Sequence, residues 1–188
     1  MSRLPPLDPE QAGTVFELDD RFTAYDAQAI ADSGFEGGKM LTRIDPDDPA
    51  TIATLESSAD AISDLARHRL LAMIEPFLSH RVDGRVRNEL TADAMVRVNA
   101  IAAGLGTTSA YTWLKVPIVD EMERAMAATT LPALILGGEV TEDQQAAFAN
   151  WQKALALPTV KGLVIGRSLL YPPGDDVAAA VDTAVGLL

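Results

Sequence analysis

Three charged side chains stand inside apolar runs of this chain, and together they have the makings of carbonyl chemistry: Lys115, Glu75 and Lys39. Lys115 is one of only four lysines and lies within Ala110-Tyr-Thr-Trp-Leu-Lys-Val-Pro-Ile-Val119. An ammonium ion in an apolar setting loses hydration, so its pKa is expected to fall and the neutral amine to become available near neutral pH. A neutral amine is the nucleophile that forms a Schiff base. The alternative is a lysine that snorkels from a strand end. Glu75 follows Leu71-Ala-Met-Ile74 and precedes Pro76-Phe-Leu78. Desolvation there is expected to raise its pKa, which suits a proton shuttle; a structural ion pair with Lys39 or Lys115 is the other reading. Lys39, in Gly37-Gly-Lys-Met-Leu-Thr-Arg-Ile-Asp45, has three open roles. It keeps Lys115 unprotonated by like-charge repulsion, holds a substrate oxygen, or pairs with Glu75.

Two glycine sites follow Lys115. Gly137-Gly138 ends Leu131-Pro-Ala-Leu-Ile-Leu136, and Gly166-Arg167 ends Gly162-Leu-Val-Ile165. Glycine after a strand lets a ligand approach backbone amides. Ser168 begins a stretch whose N–H groups could face an anion, with Arg167 adding a bidentate donor. Turns after strands use glycine for backbone reasons as well. The combination of two such sites behind a candidate Schiff-base strand points to phosphate recognition.

The elements that must position these residues alternate. Apolar runs at Gly38 to Ile44, Leu70 to Leu78, Ser109 to Val116, Pro132 to Leu136 and Gly162 to Ile165 read as strands. Helical patterns fall at Ala24 to Ser33, Asp48 to His68, Thr91 to Gly104, Val119 to Ala128, Thr141 to Leu155 and Asp176 to Leu188, with Thr91 and Thr141 as N-caps. Thr14 to Leu18 reads as a sixth strand or its remnant. Alternating βα units predict a parallel sheet, either doubly wound or a (β/α)8 barrel. The barrel is favoured because Glu75, Lys115 and both glycine sites lie within or at the ends of strands, where a barrel gathers its active site.

Composition narrows the function classes. The chain has 188 residues, 48% hydrophobic, with a formal net charge of −12. It can bury one core, and a single domain over 1–188 is expected, with 1–12 irregular. The acidity argues against a nucleic-acid partner, since the short cluster Arg81, Arg85 and Arg87 is too small to neutralise a phosphate backbone. There is no cysteine, and His68 and His80 are the two histidines, so no metal site and no disulfide is expected. No run approaches the ~18 apolar residues of a membrane span. A cytoplasmic protein with no cofactor is the expectation.

The ordered set Lys39 in GGKML, Glu75 in IEPFL, Lys115 in WLKVPI, Gly137-Gly138 in LILGG and Gly166-Arg167 in VIGRSLL resembles the class I aldolase superfamily of (β/α)8 barrels. The likeness extends over roughly Gly13 to Leu188. It is nearest to the deoxyribose-phosphate and tagatose-bisphosphate aldolase branch, and nearer still to an actinobacterial aldolase-like group associated with inositol catabolism. The resemblance implies a small phosphorylated sugar or ketose as substrate, with C–C cleavage or formation through an iminium on Lys115. Glu75 would shuttle protons and Lys39 would be a second active-site lysine. Gly137, Gly138, Gly166 and Arg167 would bind phosphate, and no metal would be needed.

Numbered as in such a barrel, Lys39, Glu75 and Lys115 fall on the fourth, fifth and sixth strands, so the chain holds about strands 3 or 4 to 8. A full barrel averages ~250 residues, and the stretch before Lys39 is too short for three βα units. The acidic residues of the family's first strand would be missing. A start site set too late, a degenerate gene, or completion by self-association each accounts for this. A non-catalytic or truncated barrel fragment that binds a sugar phosphate or a partner chain is therefore the alternative function. A flavin- or phosphate-binding protein on the same barrel, with no use for Lys115, is a third.

Other polar groups read as structure. Asp45, Asp47 and Asp48 form a carboxylate cluster, yet Asp-Pro-Asp-Asp-Pro is a turn and helix-start signal. Arg81, Arg85 and Arg87 read as an exposed loop, with steering of an anionic substrate as the alternative. Tyr111 and Trp113 share parity with Lys115 and are expected to keep its surroundings apolar.

Overall fold

The computed structural model describes residues 18, 19, 22, 24–138 and 143–188. Thr141, most of the run Thr14 to Leu18, and residues 1–12 lie outside them. A short helix α1 (Ala27–Asp32) leads into strand β1 (Gly37–Ile44), helix α2 (Ala50–Arg67) and strand β2 (Leu71–Val82). Then come β3 (Arg85–Asn88), α3 (Ala92–Ala103), β4 (Thr112–Val116), α4 (Met122–Ala127) and β5 (Ala133–Leu136). The chain continues through α5 (Gln144–Leu155), β6 (Val160–Val164), the single turn α6 (Arg167–Leu170) and α7 (Val177–Val185).

Strand order decides between the two architectures the sequence allows. The sheet runs β1-β2-β4-β5-β6, all parallel, with no reversal. Parallel crossovers are right-handed in nearly every protein, so helices joining strands laid down in one direction fall on one face. A doubly wound sheet needs a reversal of order to cover its second face. This molecule is therefore an arc of a (β/α)8 barrel, with α2 and α3 packed on its outer face. The arc ends at β1 on one side and β6 on the other; among the described residues each pairs with a single neighbour.

Side-chain alternation matches that geometry. In β1, Met40, Thr42 and Ile44 are buried beneath the helices, while Lys39, Leu41 and Arg43 are half-buried on the inner face. Ala72 and Ile74 of β2 and Leu114 and Val116 of β4 continue the outer layer, each fully buried. Full burial of one such Ile or Leu stabilises by about 1.5–3 kcal/mol. Helix α2 packs on β1 and β2, and α3 on β2 and β4. The contact surface of α2 is partly small and polar, and Ser58 meets Thr42 at 3.2 Å, Oγ to Oγ1. Helix α3 starts where Thr91 accepts from the Ala94 amide at 3.1 Å, as its cap position requires. No helix of the described residues is long and apolar enough to cross a membrane.

Three elements differ from expectation. The arginine cluster Arg81, Arg85 and Arg87 is not a loop: β2 extends through Val82 and folds back as β3, pairing Ser79 with Asn88 and Val82 with Arg85. The hairpin turn is Asp83-Gly84, both at positive φ (51° and 75°), the geometry that Asp-Gly dipeptides favour. Helix α4 begins at Met122, not Val119, because Glu121 sits at φ 54° and breaks the helical path before it. Helix α5 begins at Gln144, capped by Asp143 accepting from the Ala146 amide at 2.9 Å.

The acidic run after β1 is a turn, as its composition suggests. Asp48 accepts from the Ala50 amide at 2.9 Å and from Arg81 Nε at 2.9 Å, which ties the start of α2 to the β2–β3 ribbon. The Ala50 amide first, and the Arg81 guanidinium second, hold the Asp48 carboxyl below its ordinary value. A depressed folded-state pKa contributes stability that is present above the unfolded value, about 4, and is lost as pH falls through the folded one. Asp48→Asn is therefore expected to lower stability by about 1 kcal/mol at neutral pH. The difference should shrink as pH falls below about 4 and through the depressed folded-state value, as urea denaturation across that range would show.

Candidate active site

Strand register builds the site. Met73 pairs with Trp113 and Ile74 with Leu114, so one step further along the strands Glu75 stands beside Lys115. On its other side Glu75 pairs with Leu41, and Lys39 lies two residues before Leu41 on the same face. Lys115 in turn pairs with Leu134. The three charged residues are thus cross-strand neighbours, and their contact follows from pleat and register. The Lys115 ammonium lies 3.3 Å from Glu75 Oε2, and Lys39 reaches the same oxygen. Glu75 is only 8% exposed. Lys115 is largely covered, its side chain 16% exposed, against 42% for Lys39. Trp113 shares the inner face one pleat below Lys115, as its parity predicts.

A cavity of about 860 Å³ opens above this cluster. Lys39 and Glu75 line it from the sheet, and Gly137, Gly138 and Arg167 from the loops after β5 and β6. Lys115 is not among the residues that line it; its ammonium meets Glu75, which is. Gly166 is the residue before α6 and does not line it. The two glycine sites meet each other: Arg167 Nη2 donates to the Gly138 carbonyl at 3.3 Å, and Ser168 Oγ to the Gly137 carbonyl at 3.1 Å. Gly138 has φ +68°, where glycine carries no steric penalty. Gly137 answers to packing, because a Cβ there would lie 2.7 Å from Ile165 Cγ2.

Sequence reasoning missed other members of the wall. Arg43 and Phe77, the next inner-face positions beyond Leu41 and Glu75, line the cavity, as do Asn88, Asp143 and Trp151. The parity of Lys39, Leu41 and Arg43 was available as a signal, and so was Asp83-Gly84, whose hairpin delivers Asn88. Elsewhere, Asp45, Asp47 and His80 bring possible metal-binding atoms within 4.8 Å of one another. Asp45 Oδ1 accepts from the Asp47 amide at 3.1 Å, and the His80 ring on β2 lies 3.7 Å from Asp45 Oδ1 and 3.4 Å from Glu89 Oε2.

A lysine–carboxylate–lysine cluster thus stands on the inner face of a parallel arc of the (β/α)8-barrel type, with glycine loops after the following strands. The family model described as Cgl0159-like matches residues 10–185, and the chain belongs to that family. The crystal structure of Cgl0159 from Corynebacterium glutamicum is 51% identical, with a TM-score of 0.90 over 93% of this chain and 59% of that one. The present chain thus spans about three-fifths of the relative's length. A Schiff-base-forming fructose-1,6-bisphosphate aldolase superposes with a TM-score of 0.70 at 18% identity, covering 89% of this chain and 64% of the other. An archaeal fructose-1,6-bisphosphate aldolase, whose catalytic lysine was captured on a carbinolamine intermediate, gives 0.69 at 16%, covering 86% and 61%. At such identities the likeness is one of fold. A search of curated proteins finds no match.

Gly137→Ala should destabilise the protein by about 1–3 kcal/mol through overpacking against Ile165. Combining it with Ile165→Ala, which removes the opposing methyl, should cost less than the sum of the two single changes. Strict additivity in thermal denaturation would show that Gly137 is not held by this contact.

Proposed function

We propose that this chain carries a Schiff-base site that forms or cleaves a C–C bond in a small phosphorylated sugar or ketose. The observation that supports it is the shared carboxylate: Lys115 and Lys39 both meet Glu75 Oε2 on a largely buried inner face.

In this reading the Lys115 amine attacks the substrate carbonyl carbon, and the carbonyl oxygen takes up a proton to become a carbinolamine hydroxyl. Glu75 moves that proton and the one needed for the hydroxyl to leave as water. The iminium then accepts the electron pair of the breaking C–C bond, while the hydroxyl on the departing carbon gives its proton to a base and becomes the aldehyde. In this reading Glu75 takes that proton and returns it to the enamine carbon, and water then hydrolyses the resulting iminium to release the ketone and restore the Lys115 amine. Lys39 holds Glu75 and offers N–H donors to a substrate oxygen. The Gly137-Gly138 loop and Arg167 serve the phosphate, with Gly166 shaping the turn that carries Arg167. The finer placement in the deoxyribose-phosphate and tagatose-bisphosphate branch, with a cytoplasmic role in sugar or inositol breakdown, belongs to the same proposal and rests on the motifs around Lys39, Glu75 and Lys115.

The second reading is a partial barrel that binds a sugar phosphate or another chain without chemistry. The open arc between β1 and β6 favours it. Borohydride reduction of the chain with a panel of phosphorylated ketoses and aldehydes separates the two. The expected result is a covalent adduct mapped to Lys115, absent in Lys115→Ala and formed about 10²–10⁴-fold more slowly in Glu75→Gln. A folded protein that forms no adduct would leave the binding reading in place.

A further inference from the structure

We infer that Arg43 and Asn88 form a second oxyanion subsite, at the opposite end of the cavity from Arg167, and that the substrate carries anionic groups at both ends. The inference deepens the Schiff-base reading and rests on it for the place of the carbonyl.

Arg43 lies on the inner face of β1, paired in register with Phe77, and lines the cavity. It is half-buried, yet among the described residues its guanidinium has no carboxylate or side-chain partner. A partly desolvated guanidinium beside an open cavity is completed by an oxyanion, which it binds through two parallel N–H donors. Asn88 is positioned for the same task. Its Oδ1 accepts from Ser79 Oγ at 2.9 Å, so the amide NH₂ is the group left to donate to a ligand. The β2–β3 ribbon carries it to the cavity that Arg43 also lines, from the other edge of β2.

Charge and distance support a separate subsite. The cavity wall holds three cations, Lys39, Arg43 and Arg167, against two carboxylates, Glu75 and Asp143, in a chain whose net charge is −12. Lys39 is engaged by Glu75, which leaves Arg43 and Arg167 as the two poles. In the strand order β1-β2-β4-β5-β6, β1 and the Gly137-Gly138 strand are three steps apart. At about 4.8 Å per step that is roughly 14 Å along the arc. One anion cannot span both poles, whereas a short linear molecule with two anionic ends can. Lys115 sits on β4, the middle strand of the five, where a carbonyl between the two ends would lie.

Equilibrium binding to probes that lack a carbonyl tests this independently of Schiff-base chemistry. Isothermal titration would compare hexane-1,6-diol bisphosphate, 6-phosphohexanoate and hexyl monophosphate on the native chain, Arg43→Gln and Arg43→Lys. The native chain is expected to bind at least one doubly charged probe about tenfold or more tightly than the monophosphate. The preferred probe identifies the second group as phosphate or carboxylate. Arg43→Gln should abolish the preference while leaving monophosphate binding intact, and Arg43→Lys should keep part of it. No preference in the native chain, or an equal loss for all three probes in Arg43→Gln, would overturn the inference. Neither result would touch adduct formation on Lys115, so the two proposals fail separately.

Discussion

A single carboxylate holds this site together. Glu75 is nearly buried, and burying an isolated carboxylate is prohibitively costly unless cations or donors compensate it. Two lysines do so at one oxygen. Because their partner is fixed on β2, both ammonium groups are drawn to the same part of the inner face. Pairing also ties β1, β2 and β4 together across three strands. A one-residue slip of any of them would turn its charged residue outward beneath the helices, where Met40, Ile74 and Leu114 now pack.

The fold meets that constraint by keeping α2 and α3 to one side. Unreversed strand order and right-handed crossovers leave a face on which polar groups can stand around a cavity. On that face the register places Leu41, Glu75, Lys115 and Leu134 in one row, so apolar neighbours flank the ion cluster. The outer row of Met40, Ile74, Leu114 and Ala133 is fully buried and carries the stability. Division of labour between rows explains how a Lys and a Glu can be tolerated within otherwise apolar strands.

Much of this was legible from residues alone, for identifiable reasons. The five parallel strands were visible as apolar runs bounded by turn chemistry, and the Lys39, Glu75 and Lys115 cluster as charges out of place within them. The Thr91 cap was readable because its side chain acts locally. What escaped depended on the third dimension. Strand order, which separates a barrel from a doubly wound sheet, is a property of pairing and leaves no local trace. The β2–β3 ribbon escaped because arginine-rich strands that face solvent lack apolar alternation, although Asp83-Gly84 marked the turn. Arg43 escaped because a single arginine in a strand is unremarkable until its register neighbour Phe77 and the cavity beyond are known.

The glycines need a different weighting from the charges. Gly137 is required by its contact with Ile165 and Gly138 by its positive φ, so their presence follows from folding whether or not a phosphate ever binds. The cations are not explained that way. An acidic chain that places Lys39, Arg43 and Arg167 around one cavity does so against its overall charge. Of these, only Lys39 has a carboxylate partner among the described residues. Folding alone would be served as well by a neutral side chain at Arg43, whose half-buried guanidinium has no carboxylate partner among the described residues, and the exposed Arg167 meets only the Gly138 carbonyl. The argument for an anionic ligand therefore rests on these arginines rather than on the glycine loops, and it holds whichever chemistry Lys115 performs.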